Sequence, residues 1–208
     1  GLSCIRIEAS NGDETATLVT DPYDYADTGL RFPRTLEPQV AVFSHQDRSR
    51  FPADAFKNQP FMIADPGEYE VQGMFVFGMP VKDADDKSQY SLAYRFEIEG
   101  ISVGFLGGAK RALHEEIMSR LENIDILLLP VGGGDRMNSK QSAETVQVIE
   151  PRIVIPMYYD IPDLKLKLDS VDAFCKEVGA KRQDANKLKI TRKDLPAEDL
   201  IVTVLERS

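Results

Sequence analysis

The rhythm of apolar residues changes at Gly108, and that change constrains the fold more than any other feature of the chain. Before it, short alternating runs are broken by turn residues. Ser3 to Glu8 alternates, Asn11-Gly12-Asp13 supplies a turn, and Ala16 to Thr20 returns antiparallel. Gly67 to Val81 and Tyr90 to Phe105 read as further strands, the second a hairpin turning at Glu99-Gly100. After Gly108, Leu113 to Leu121 has helical spacing, Ile124 to Leu129 is an apolar strand broken only by Asp125, and Lys140 to Ile149 is helical again. Ile153 to Met157 reads as a strand and Leu168 to Val178 as a third helix ended by Gly179. Leu188 to Thr191 and Leu200 to Leu205 read as closing strands. Strands first and strand–helix alternation afterwards imply two sheets face to face with helices outside, an α/β (α+β) four-layer αββα sandwich. A chain of 208 residues supplies one sizeable core, so a single domain over 1–208 is expected.

Within that frame, Val40 to Phe43 reads as a buried strand followed by the polar run Ser44-His45-Gln46-Asp47-Arg48-Ser49-Arg50. A polar run at a strand's carboxyl end is where α/β folds place their chemistry. Tyr23 to Pro38 reads as a loop over the mouth of this site, and Asp83 to Lys87 as a charged surface connection. A nucleophilic triad of Ser44, His45 and Asp47 is disfavoured, because neighbouring strand residues point to opposite faces and no Gly-x-Ser-x-Gly elbow occurs. Cys4 sits inside an expected core strand, a poor place for a nucleophile. His114 opens a helix beside two glutamates and reads as a solvated surface residue. Gly132-Gly133-Gly134 offers either an anion-binding nest of amides or simple backbone freedom.

An ordered set of short motifs adds a resemblance. Gly1-Leu2-Ser3-Cys4-Ile5-Arg6-Ile7, Thr20-Asp21-Pro22, Pro66-Gly67-Glu68, Gly78-Met79-Pro80, Leu106-Gly107-Gly108, Leu129-Pro130-Val131-Gly132 and Ile155-Pro156-Met157 follow one another at plausible intervals. In that order they resemble the small metal-dependent hydrolases of the metallo-β-lactamase superfamily. The resemblance implies a metallo-β-lactamase-like sandwich and a two-metal site at the polar run, but the metal ligands are mostly replaced. Of the pattern Thr-His-x-His-x-Asp-His, only His45 remains; the later slots fall on Asp47, Ser49 and Arg50. A further histidine slot falls on or near Asp83, the bridging aspartate slot on Gly108, and the last histidine slot on Tyr158.

Zinc needs imidazole, thiolate or carboxylate donors in near-tetrahedral array. The two histidines of the whole chain, His45 and His114, cannot supply a His-rich pair. Arg50 and Lys110 would bring fixed positive charge toward the metal position, a repulsion of several kcal/mol at an effective dielectric near ~20. The same cations could neutralise Asp21, Asp47 and Asp83 instead. The cleft candidates are therefore Asp21, His45, Asp47, Arg50, Lys110 and Tyr158, with His45, Asp47 and Asp83 as residual metal donors.

A formal charge of −9 without a Lys/Arg run argues against a nucleic-acid partner. No apolar stretch reaches membrane-span length and no basic-then-apolar leader opens the chain. The two cysteines have no metal spacing, and reduced structural thiols in a cytoplasmic protein are expected. Three readings of function follow. The first is a metal-free binding or scaffolding protein without cofactor. The second is a hydrolase holding Mg²⁺ or Mn²⁺ on His45, Asp47 and Asp83. The third is a small-anion binder using Arg50, Lys110 and the Gly132 to Gly134 amides. Protein partners and a homo-oligomer stay open.

Overall fold

The computed structural model of the chain describes residues 2–11, 14–33, 35–45, 55–82, 90–111 and 113–207. Its smaller sheet has the order β1-β2-β3-β4, from β1 (Arg6–Asn11), β2 (Glu14–Thr20), β3 (Val40–Val42) and β4 (Phe61–Ile63). The eight-stranded sheet has the order β11-β12-β10-β9-β8-β7-β6-β5. Its strands are β5 (Gly67–Val71), β6 (Met74–Lys82), β7 (Tyr90–Ile98), β8 (Ile101–Phe105), β9 (Ile126–Pro130), β10 (Ile153–Met157), β11 (Lys181–Ala185) and β12 (Ile201–Leu205). From β5 to β8 neighbours are antiparallel, and from β8 to β11 they are parallel.

The two-residue period of the strands explains the layering. Val40 and Val42 point into the core shared with Leu18, Tyr94, Phe96 and Phe105, while Ala41 and Phe43 point outward against Ala64. In β9, Ile126 and Leu128 face the space between the sheets, and Leu127 and Leu129 face the helices. Continuous apolar runs such as this one belong to parallel strands buried on both faces. Three helices cover that outer face through Ile117, Val146 and Phe174: α2 (Glu115–Arg120), α3 (Ser139–Ile149) and α4 (Val171–Val178). Asn138 and Gln141 form a reciprocal capping box that starts α3, and Gly179 ends α4 in the left-handed region at φ 66°.

The expected hairpin is present, with Glu99 and Gly100 both at positive φ between β7 and β8. Four features differ from the sequence reading, the first being the unexpected three-residue strand β4 at the edge of the smaller sheet. Leu188 to Thr191 is not a strand; Leu188 and Ile190 pack on the inter-sheet core and lead into a short 3-10 turn, Arg192–Asp194. The loop expected over Tyr23 to Pro38 contains a single helical turn, α1 (Tyr25–Thr28), begun by the Asp24 side chain accepting from the Ala26 amide at 2.8 Å and ended by Gly29. The polar strand β11 carries no apolar signal because it lies at the sheet edge, with exposed or half-buried residues only. The connection Asp83 to Lys87 lies outside the described residues. No helix among the described residues is long and apolar enough to cross a membrane.

Candidate functional site

The carboxyl ends of β2, β3, β8, β9 and β10 deliver Asp21, Ser44 and His45, Gly107 and Gly108, the loop Val131 to Met137, and Tyr158 to one end of the sandwich. Asp21 is buried at 8% exposure. Its Oδ1 accepts the Ser44 amide at 2.7 Å and its Oδ2 accepts the Ser44 hydroxyl at 2.5 Å. Burial pushes its pKa up to about 6, against the opposing pull of the Ser44 bonds and the Arg136 charge. The Asp21 amide in turn donates to the Val42 carbonyl, so the ends of β2 and β3 are tied twice. Beside them His45 forms an isolated bridge with Ser91, and the Leu92 amide donates to the Ser44 carbonyl at 2.8 Å.

The centre of this cleft is a guanidinium. Arg136 Nη2 lies 2.6 Å from His45 Nε2. A guanidinium has no acceptor, so Nε2 is the acceptor and His45 is the neutral tautomer carrying its proton on Nδ1. Arg136 Nη1 donates to the Asp135 carbonyl at 3.1 Å and to Asp135 Oδ2 at 2.7 Å. The Tyr158 hydroxyl donates to Asp135 Oδ1 at 2.7 Å, and the Tyr158 ring lies under the guanidinium with 5.3 Å between Arg136 Cζ and the ring centroid. Burial would raise the Asp135 pKa, but Arg136 and the Tyr158 bond together hold it below the usual carboxylate value. The Arg136 side chain is 7% exposed, and its Nε is buried with no hydrogen-bond partner.

The loop carrying Arg136 is shaped by glycine. A Cβ at Gly132 would strike the Tyr158 carbonyl and lie 2.8 Å from Tyr159 Cα. Gly132 donates its amide to Tyr158 O at 2.9 Å, Gly133 to Met137 O at 3.1 Å, and Met137 to Ala109 O at 3.1 Å. The amides of Gly132 and Gly133 are thus used inside the protein, which favours the backbone-freedom reading of these two glycines over an anion-binding nest. Gly108, in the bridging-aspartate slot, is equally closed: a Cβ there would lie 2.8 Å from Ser44 O and 3.0 Å from Ser91 Cβ.

Of the candidates read from the sequence, Asp21, His45 and Tyr158 come together here, and Lys110 is an exposed residue in the loop after Gly108. Asp47, Arg50 and Asp83 lie outside the described residues. Ser44 and His45 turn to different partners, Asp21 and Arg136, as the strand argument required. Burial pushes the Cys4 thiol up to about 12, which removes it as a nucleophile near neutral pH. The residue that sequence reasoning missed is Arg136. Its local signal was slight, a basic residue in a glycine loop at the end of an apolar strand, with nothing in the sequence to tie it to His45.

Among the described residues, this donor set does not fit a zinc pair. No three of His, Cys, Asp and Glu meet in a metal-binding group. The Nε2 lone pair of His45 is directed at Arg136, Asp21 is committed to Ser44, and Asp135 to Arg136 and Tyr158. A zinc ion on Nε2 would sit about 2.1 Å away, in the space the guanidinium fills. At the opposite end, the amino ends of β8, β9 and β10 border a polar cavity of about 420 Å³ lined by Arg95, Asp125, Arg152 and Arg192. Its arginines are held by Glu97, Asp125 and the Gly100 carbonyl.

Comparison with known proteins agrees with this architecture. A family model for the beta-lactamase superfamily domain matches residues 1–158. A UPF0173 metal-dependent hydrolase of Pyrococcus abyssi is 29% identical over 124 residues, 57% of this chain and 55% of that protein. Another, from Caldivirga maquilingensis, is 42% identical over 117 residues, 50% of this chain and 51% of its own length. These matches span about half the length of the curated relatives. A solved Thermotoga maritima structure, described as a Zn-dependent hydrolase of the metallo-beta-lactamase superfamily, superposes with a TM-score of 0.78 at 26% identity, covering 99% of this chain and 96% of that one. With its motifs in family order, its two-sheet sandwich and a family match over residues 1–158, the chain belongs to the metallo-β-lactamase superfamily.

Proposed function

We propose that this chain is a metallo-β-lactamase-fold binding protein in which a fixed guanidinium takes the His45 lone pair that a metal ion would need. One observation carries the reading: Arg136 Nη2 at 2.6 Å from His45 Nε2, on a side chain 7% exposed. A lone pair serves one cation, and a dication beside a buried guanidinium is repelled by several kcal/mol at an effective dielectric near ~20. Without a metal-bound hydroxide the described residues of the cleft offer no source of a strong nucleophile near neutral pH. The charge of −9 argues against nucleic acid, and two unpaired thiols, Cys4 and Cys175, suit a cytoplasmic protein.

The names of the relatives favour a second reading, a metal-dependent hydrolase with an altered site that uses Mg²⁺ or Mn²⁺. Elemental analysis of protein purified without chelator separates the two. The first reading expects no stoichiometric zinc, manganese or iron, and turnover of lactone, phosphodiester and β-lactam substrates no faster than by buffer. Stoichiometric metal, or activity that survives repurification and disappears in His45→Ala, would establish the second.

A further inference from the structure

Arg136 has five N–H donors in a rigid planar fork. Three are spent, two on Asp135 and one on His45. The Nε donor is buried without an acceptor. An unmet buried donor is costly, and more so on a charged group, so an unmet donor at the centre of a cleft marks a place for an acceptor. Nε and Nη2 lie along one edge of the guanidinium, the edge that arginine offers to planar oxyanions. The opposite side is held in place: Nη1 is anchored on Asp135, and the Tyr158 ring supports the plane from below. Among the described residues the nearby carboxylates are already answered, Asp135 by Arg136 and Tyr158, and Asp21 by both donors of Ser44. Among the described residues, what remains of this fixed cation is the Nε–H and the second N–H of Nη2.

We propose that the Nε–Nη2 edge of Arg136 anchors a small oxyanion ligand, a carboxylate or a phosphate, in the cleft at the carboxyl ends of β3, β9 and β10. This rests on the reading of the cleft as metal-free. Arg136 is then the recognition residue, and His45 and Tyr158 set its orientation.

The test uses the full chain, first verified free of zinc by elemental analysis. It is titrated with sodium acetate and, separately, with inorganic phosphate at constant ionic strength. The readouts are the melting temperature and the ¹H–¹⁵N signals of the arginine Nε groups. One salt should raise the melting temperature saturably and displace a single Nε signal, and which salt does so assigns carboxylate or phosphate. Arg136→Lys keeps the charge and loses the edge, so it should weaken that binding by about tenfold or more. Arg192→Ala, in the cavity at the other end of the sheet, should leave it unchanged. No saturation with either salt, or an equal response in Arg136→Lys, overturns the proposal. If Arg136→Lys does not fold, the wild-type Nε signal decides: displacement at saturation upholds the site, and no displacement sinks it. Zinc found on His45 would overturn the parent reading, whereas a zinc-free protein that ignores both salts overturns only this one.

Discussion

Burial and hydrogen bonding pull the Asp21 carboxyl in opposite directions. The Ser44 amide and hydroxyl favour its charged form, yet desolvation prevails and the pKa rises from 3.8 to about 6. Between those values the folded protein binds more protons at Asp21 than the unfolded chain does. Stability from this group is therefore fully present below pH ~4 and is lost as pH rises through about 6, by roughly 3 kcal/mol in total. Asp21→Asn should flatten the profile, since the amide still accepts from Ser44 N and can donate to Ser44 Oγ. Urea melts of both proteins from pH 4.5 to 7.5 measure the difference; parallel profiles would place the titration elsewhere. At this scale His45 and Asp21 were legible because strand ends and ordered motifs point to them. Arg136 was not, because its role depends on a 91-residue separation from His45 that only the folded loop closes.

Elements were legible where their pattern has a physical cause on both faces. The helical spacing of Lys140 to Ile149 and the apolar run before Pro130 each reflect burial, and both elements form as expected. Edge elements escaped for the same reason in reverse: β11 reads Lys-Arg-Gln-Asp-Ala because one side of it has no neighbour, and β4 is only three residues long. The junction of β8 with β3 and β7 leaves little room for a side chain at position 108. Gly108 lies so near Ser44 O and Ser91 Cβ that any side chain must displace backbone. Gly108→Asp, which supplies the carboxylate that the resemblance implies for this position, should lower stability by about 2 kcal/mol or more, and on the metal-free reading the protein still takes up no zinc. A folded Gly108→Asp protein of undiminished stability that takes up a stoichiometric metal would mean the cleft opens more readily than this packing implies.

Across the whole molecule, what fixes one sheet upon the other also aims the site. The shared core is aromatic at its centre, with Tyr94, Phe96 and Phe105 at centroid separations of 5.9 to 6.3 Å. Apolar contacts alone give the sheets affinity for each other but little angular preference. The Tyr94 hydroxyl supplies direction: from β7 of the large sheet it is shared between the carbonyls of Phe43 at 2.9 Å and Ile63 at 3.2 Å in the small one. Ile63 O also accepts the Phe43 amide, whereas Phe43 leads directly into Ser44 and His45. Burial raises the Tyr94 pKa far from neutrality, so the hydroxyl remains a donor across the working pH range. Tyr94→Phe keeps the ring packing and removes only this tie. It should lower stability by about 1 to 2 kcal/mol, the usual cost of withdrawing a buried hydrogen bond from a carbonyl. It should also move the His45 ring signals in an NMR spectrum, because the end of β3 is then tied to β7 only through the Leu92 amide and the His45–Ser91 bridge. A variant as stable as the parent, with His45 undisturbed, would show that packing alone sets the sheet register and that the cleft is held by Asp21 and Ser44 without help from Tyr94.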